Sequence, residues 1–496
     1  MILFIIGLLM LIVGGHIYGK YCEKVFQPDD RPTPAITMAD GIDYVVMPSW
    51  KNKLIELLNI AGTGPILGPI QGILFGPIAF ITIPIGCVFA GALHDYFVGM
   101  ISVRNKGAQV PKMVRKYLGA GATKVYTVII WLLMLLVGVV FMYTPGDLIV
   151  GDILGMDVNS NIIWGVYIAI LFYYIVSTIF PIDQIIGRIY PIFGGILIVS
   201  AAGVLVGIFM DGGASFANLP KGLLFEHPTG QAFIPVFFIT VACGIMSGFH
   251  GSQVTLISRT MKSEKEGRRT FYSMMICEGL IAMAWAAGAM VLFGRGIPVD
   301  TGATEMVGII SREFMGNIGG LIAIAGVIIL PITSGDTAFR SLRLMIAEQF
   351  DIDQKDAKNR VKLSLIIFIP AIIILVYAKL SPDGFNLLWR YFGFTNQLVG
   401  VFALAMVTVY LKASNKNYFI SLLPGAFYSF IVTAYICHES LGLGLEARIG
   451  GLFGLSPESY AISYIIATII TIIFLVYVPK IANKREKVIL SYDQTK

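Results

Sequence analysis

Apolar residues in this chain fall into runs of about twenty, separated by short segments where charged and turn-forming residues collect. An α-helix rises 1.5 Å per residue, so about 20 apolar residues match the ~30 Å hydrocarbon core of a bilayer. Thirteen runs can be marked, at approximately 2–19, 54–76, 77–101, 125–145, 161–180, 185–210, 232–258, 271–294, 317–347, 361–379, 385–411, 418–437 and 459–479. The pattern predicts an all-α polytopic membrane protein of about 13 transmembrane helices. Gly76-Pro77 is the only turn signal between the second and third runs.

Two runs are interrupted at mid-span. The run 54–76 contains Asn59-Ile60-Ala61-Gly62-Thr63-Gly64-Pro65, and the run 232–258 contains Ser247-Gly248-Phe249-His250-Gly251-Ser252-Gln253. Lipid cannot satisfy backbone groups freed by a break, so such interruptions survive only inside protein or beside a wet cavity. With the first run set aside, the interrupted runs are the first and sixth of a twelve-span core. Each opens a group of five, and an odd number of spans inverts topology. This arithmetic predicts a leucine-transporter-type 5+5 inverted repeat with two broken helices. The expected organisation is an extra N-terminal helix and cytoplasmic linker (1–52), a ten-helix transport core (53–411), and two peripheral helices with a cytoplasmic tail (412–496).

Composition agrees with a membrane protein. The 496 residues are 56% hydrophobic and 13% charged, with a mean hydropathy of +0.79. An ordinary soluble domain carries about 25% charge. The net charge of +6 does not point to nucleic acid, because the bases lie in alternating loops. Residues 102–124 hold Arg104, Lys106, Lys112, Arg115, Lys116 and Lys124 without an acid; the next loop holds Asp147, Asp152 and Asp157 without a base. Bases return at 258–270, at 340–362 and in the tail. The positive-inside rule then puts the N-terminus outside and the C-terminus in the cytoplasm. Met1 to Tyr18 lacks a basic leader and a small-residue cleavage site, so a retained helix is expected. Five scattered cysteines without CxxC spacing argue against a disulfide framework or structural zinc site. No cofactor or bound metal is expected, nor an obligate protein partner; the partners are lipid and a small solute.

The polar residues inside the runs carry the candidate chemistry. An unwound Ala61–Gly62–Thr63–Gly64 would expose carbonyls to a cation and a helix N-terminus to an anion. In the second break, Ser247, Gly248 and Gln253 offer hydrogen bonds, and His250 can donate, accept or carry a proton near neutral pH. His94 and Asp95, late in the third run, suit a gate or proton relay, as do Glu278, Asn396 and Gln397 inside later runs. Thr333, Ser334 and Asp336 supply oxygen ligands for a hard cation opposite Ala61. Asp336 and Arg340 are also spaced for an i, i+4 ion pair, and both accounts stand. Glu56 reads as solvated at the inner interface and Arg390 as a snorkelling cation near the outer end of its helix.

Taken together, Ala61-Gly62-Thr63-Gly64-Pro65-Ile66-Leu67-Gly68-Pro69, Gly91-Ala92-Leu93-His94-Asp95-Tyr96, the 247–253 segment, Thr333-Ser334-Gly335-Asp336-Thr337 and Leu388–Gln397 resemble the carbon starvation protein A family. The resemblance covers about 50 to 410. It implies a bacterial or archaeal inner-membrane transporter of peptides or pyruvate within the amino acid–polyamine–organocation superfamily. Gly251-Ser252 stands where that family usually has Ala or Pro followed by Thr. The expected function is secondary active uptake of a small carboxylate nutrient, coupled to protons or sodium. The solute would sit at Gly62, Thr63, Gly64, Ser247, Gly248, His250 and Gln253. Coupling would use Ala61, Thr333, Ser334 and Asp336. Two other classes compete: an intramembrane metalloenzyme using His94, Asp95, His250 and Asp336, and a nutrient sensor. No HExxH pair supports the first, and no Walker A motif suggests an ATP-driven pump.

Overall fold

The computed structural model describes residues 1–40, 44–179, 183–298, 301–354 and 356–493, the side chains of 178–191, 193 and 486–493 excepted. Lys355 and the end of the expected run 161–180 lie outside the described residues. The regular elements described are all helices. Nine are long and apolar enough to cross a membrane, ten if the bent pair Ser49–Ile60 and Gly64–Phe75 counts as one span. The protein is therefore an all-helical, multi-pass membrane protein. Three expected runs yield shorter apolar pieces: Ile162–Ser177, Gly194–Met210, and the fragments Phe238–Thr240, Ala242–Ile245 and Gly248–Ile257.

Two boundaries differ from the sequence pattern. The helix starting at Ala120 continues to Ile153, so Asp147 and Asp152 are helical rather than in a loop. Each is held there by a cation, Asp147 by Lys379 at 2.7 Å and Asp152 by Arg312 at 2.6 Å. Local hydropathy drops at those acids, but their partners lie far along the chain. The second difference is an added helix. Ala303–Gln349 is divided at Gly316, whose φ of 69° belongs to the left-handed region that favours glycine. The expected run begins after it, and 303–315 forms a separate segment carrying Arg312.

Small residues let the spans approach closely, as membrane helices require when no hydrophobic drive separates protein from lipid. A Cβ added to Gly64, Gly68 or Gly72 would stand 2.3 Å from Cys243 Cβ, 2.9 Å from Thr240 O, or 2.6 Å from Val241 Cγ2. This i, i+4, i+8 stripe seats the first interrupted helix directly on the second. The N-terminal helix Ile2–Phe26 docks the same way, with Gly7 against Phe80 O, Gly15 against Ile276 and Gly19 against Tyr272.

Candidate functional site: the two interruptions and a buried acid–histidine cluster

The first interruption is made locally. Ser49–Ile60 ends at Ala61 (φ −82°, ψ 63°), and Gly64–Phe75 departs at 48°. Pro65 sits in the first turn of the new helix, where a missing N–H breaks no bond. Local backbone groups close the gap: Ala61 N–H donates to Leu57 O at 2.8 Å and Leu67 N–H to Thr63 O at 2.9 Å. The Thr63 hydroxyl is buried without a hydrogen-bond partner.

The second interruption lies at Met246 and Ser247, both extended. This corrects the sequence expectation. Gly248 to Gln253, read as part of the break, instead form the first turns of Gly248–Ile257. Nothing in that stretch blocks a helix; a single interior glycine such as Gly251 costs about 1 kcal/mol. The break is built by the distant helix Gly384–Ala413. Asn396 Oδ1 accepts from Phe249 N–H at 2.8 Å and from Ser247 Oγ at 3.1 Å, acting as an N-cap supplied from another helix. Asn396 Nδ2 reaches Cys243 Sγ at 3.3 Å. Trp389 Nε1 donates to Thr240 O at 2.9 Å, and Gln397 Nε2 donates to Phe238 O. A Cβ on Gly248 would meet Asn396 O at 2.3 Å. Asn396 and Gln397, read as gate residues, are thus brought to the break as its braces.

On one side of the two breaks, four elements converge on five fully buried titratable side chains: Glu56, His94, Asp95, His250 and Glu278. Asp95 takes one imidazole on each oxygen, His94 Nδ1 at 2.8 Å and His250 Nδ1 at 3.0 Å. The other ring nitrogen of His250 faces Glu278 Oε2 at 3.5 Å. Neither Glu56 nor Glu278 has a hydrogen-bond partner on either oxygen. Glu56 therefore does not have the solvated position the sequence suggested. Amphipathic spacing around Asn52 and Glu56 hides this, because only the packed bundle shows that both are buried. Gln253, buried nearby on the same helix, donates to Ser252 Oγ at 2.9 Å.

The remaining expected site residues lie elsewhere. Thr333 donates its hydroxyl back to Leu330 O at 2.9 Å, and Ser334 Oγ is buried without a partner. Asp336 accepts from Ser177 Oγ and pairs with Arg340 at 3.3 Å, so the ion-pair account is the one the geometry displays. Phe141 packs against both Gly62 and Gly335, placing its ring and stem between the first break and this segment. Asp336 does not join His94, Asp95 and His250. Among the described residues no group of three or more His, Cys, Asp or Glu is arranged to hold a metal ion.

Beyond the breaks, on the opposite side from the cluster, lies a polar vestibule of about 330 Å³. Its walls are the far halves of both interrupted helices (Gln71, Thr240), the loop at His227 and Thr229, and Asn386 and Arg390 of the bracing helix. Arg390, read as a snorkelling cation, lines this hollow. Burial, and then the Arg390 charge, pushes the His227 imidazole down to about 4. His227 did not stand out in sequence because it lies in the loop before an apolar run, and Arg390 had an ordinary explanation near its helix end. At the other end of the bracing helix the molecule is closed. Arg104 grips Glu264 through two bonds of 3.1 and 3.0 Å, and also binds Tyr410 Oη and Gln27 O.

Comparison with known proteins agrees with this architecture. The family model described as "Carbon starvation protein CstA" matches residues 1–147, 144–295 and 288–435. An "Uncharacterized membrane protein" of Haemophilus influenzae is 38% identical over 341 residues, covering 59% of this chain and 91% of that one. The "Peptide transporter CstA" of Escherichia coli is 23% identical, covering 84% of this chain and 77% of its own length. The "Pyruvate/proton symporter BtsT" of the same organism is 26% identical, and the match spans 49% of it and 58% of this chain. The crystal structure of a manganese transporter from Eremococcus coleocola, in complex with an aromatic bis-isothiourea substituted compound, has the same fold. It superposes with a TM-score of 0.54 over 92% of this chain and 99% of that one, at 14% identity. The chain belongs to the CstA family, which is a family of transporters and not of enzymes.

Proposed function

We propose that this CstA-family chain is a secondary active transporter that takes up a small carboxylate nutrient, pyruvate or a short peptide. Uptake is driven by a proton or sodium gradient across a bacterial or archaeal cytoplasmic membrane. The observation that carries this reading is the contact between the two interrupted helices, at Gly64–Cys243 and Gly68–Thr240, below a vestibule that Arg390 lines. The names of the relatives supply the solute classes. In this reading the vestibule faces outside and the Arg104–Glu264 pair the cytoplasm, with the N-terminus outside and the C-terminus inside; the alternation of basic loops supports it. Thirteen spans and a ten-helix 5+5 core over 53–411 are the organisation that best accommodates both breaks.

A carboxylate entering the vestibule meets the Arg390 guanidinium, a planar donor matched to it. Gln71, Thr229 and Asn386 add neutral hydrogen bonds, and the lining also holds an acid, Asp383, which opposes a carboxylate. Between the breaks, the positive end of Gly248–Ile257 and the unpartnered Thr63 hydroxyl offer the next contacts. In the geometry described, Gly64 is covered by Cys243, and Gly248 by Asn396 and Gly400. Rocking of the interrupted helices against the bracing helix opens it to one side at a time. A larger apolar groove, lined by Ile85, Phe89, Leu423 and Phe427, has the character of a lipid-facing surface.

Reconstitution of the full chain into liposomes tests this. Labelled pyruvate and dipeptides are offered under imposed proton and sodium gradients separately. One of them accumulates, and Arg390→Gln raises the half-saturating concentration about tenfold, the equivalent of losing about 1.4 kcal/mol of binding. Specific binding without movement under any gradient would favour the sensor reading instead.

A further inference from the structure

The geometry points to Glu56 and Glu278 as the carriers of the coupling proton, held in a buried cluster whose centre is the Asp95–His250 pair. The inference rests on the transporter reading and names its coupling ion and site.

The argument begins with burial. Glu56 is fully buried, and neither of its oxygens has a donor. Removing an ionised carboxylate from water without a counter-charge costs several kcal/mol, so Glu56 stays dry only with its proton on. The same reasoning reaches Glu278 through His250. As a carboxylate, Asp95 takes the Nδ1–H of His94 on one oxygen and that of His250 on the other, and both acceptors are then satisfied. In that tautomer the Nε2 lone pair of His250 points toward Glu278 at 3.5 Å. A lone pair repels a carboxylate and attracts a carboxylic acid. If instead the proton sits on Nε2, His250 is an imidazolium facing a carboxylate. In both forms the His250–Glu278 pair holds one dissociable proton.

The surroundings offer no competing charge. Facing the cluster are the thiols of Cys87, which donates to Met275 O, and of Cys243, held by Asn396; Cys277 precedes Glu278 on its own helix. Ser49–Ile60 contributes Glu56, Ala92–Arg104 contributes His94 and Asp95, and Gly248–Ile257 contributes His250. No lysine or arginine is hydrogen-bonded or ion-paired to any of the five among the described residues.

Placement ties protonation to movement. In the expected 5+5 order, Glu56 and Asp95 lie on the first two helices of one group, and His250 and Glu278 on the first two of the other. Two of these elements are halves of the interrupted helices. A proton joins a carboxylate oxygen from water on the open side, the helices close only over the neutral acid, and the O–H bond breaks again when water enters from the other side. Closure over an ionised Glu56, or over a His250–Glu278 pair that has lost its shared proton, is the state this burial forbids.

The test uses full-length protein in liposomes with the membrane potential clamped. A one-unit pH gradient supports about tenfold accumulation per proton, equal to about 1.4 kcal/mol. Wild type accumulates labelled pyruvate or dipeptide under that gradient. Glu56→Gln and Glu278→Gln, fixed in the protonated shape, bring internal and external solute to equal concentration yet still exchange solute across the membrane. Proton-driven accumulation by both variants at the wild-type level, or a wild type that responds only to sodium, overturns the inference and leaves the transporter reading intact. A wild type that moves neither solute under any gradient removes both. A second measurement does not depend on transport. Infrared spectra of purified wild type at neutral pH contain a protonated-carboxyl carbonyl band that vanishes in Glu56→Gln; absence of that band in wild type also overturns it.

Discussion

The two interruptions solve one physical problem in different ways. The first is written into its own segment: Gly62, Thr63, Gly64 and Pro65 end one helix and start the next, and the backbone bonds stay within a few residues. The second is imposed from afar. Met246 and Ser247 are not helix breakers by type; Asn396 of the bracing helix caps the break, and Trp389 and Gln397 of the same helix hold the carbonyls of Thr240 and Phe238 ahead of it. A self-made break tolerates changes in its neighbours. A borrowed one stands or falls with its braces, and whatever moves the brace moves the break.

That contrast can be broken at its strongest point by Asn396→Ala. The Phe249 N–H and the Ser247 hydroxyl lose their acceptor together, and a buried donor is left unmet. A loss of about 3 kcal/mol is expected, read as a lower unfolding midpoint of purified protein, with solute uptake abolished. Gly64→Ala probes the contact between the breaks. Its new methyl would stand 2.3 Å from Cys243 Cβ, so about 2 kcal/mol of overpacking is expected. Adding Cys243→Gly should return part of that loss, and additive penalties in the double variant would show that the two positions do not press on each other. Trp389→Phe removes a single bond to Thr240 O and should cost about 1 kcal/mol by the same melting assay.

Thr63→Val sharpens the comparison from the other side. The hydroxyl lacks a partner, so its removal should change stability by only about 0.5 kcal/mol or less. Reduced uptake with an unchanged melting point would then assign the hydroxyl to the solute. The last test concerns His227 and is confined to acid pH. Its folded value of about 4 lies below the ordinary histidine value of about 6.5. Between these the unfolded chain binds the extra proton, so stability falls as pH drops through that window and is unaffected above it. His227→Gln should flatten this acid-side slope in melting curves. Uptake that varies between pH 6.5 and 8 must draw on groups other than His227.

Much of the site was legible because its residue types are expensive in a membrane. His94, Asp95, His250 and Glu278 are conspicuous in apolar runs, and the structure assembles all four. Glu56 escaped because it precedes the break, on a stretch with Asn52 and Lys53 that reads as interfacial. Arg390 escaped because a cation near a helix end has an ordinary explanation in snorkelling. Thr333 and Ser334 were placed opposite Ala61 by expectation of span order, and the side chain of Phe141 between those elements is something no span order reveals.

By itself the sequence determined that this chain crosses a membrane many times, that two of its runs are broken, and roughly where. Hydropathy and backbone chemistry act within about twenty residues, so a linear pattern contains them. Only the tertiary structure decided what satisfies the second break, which carboxylates lie buried without a counter-charge, and which residues line the vestibule beyond the breaks. Those outcomes depend on side chains more than a hundred residues apart meeting at about 3 Å, as Asn396 meets Phe249 and Asp95 meets His250. No local propensity encodes such distances; close packing of the helices does.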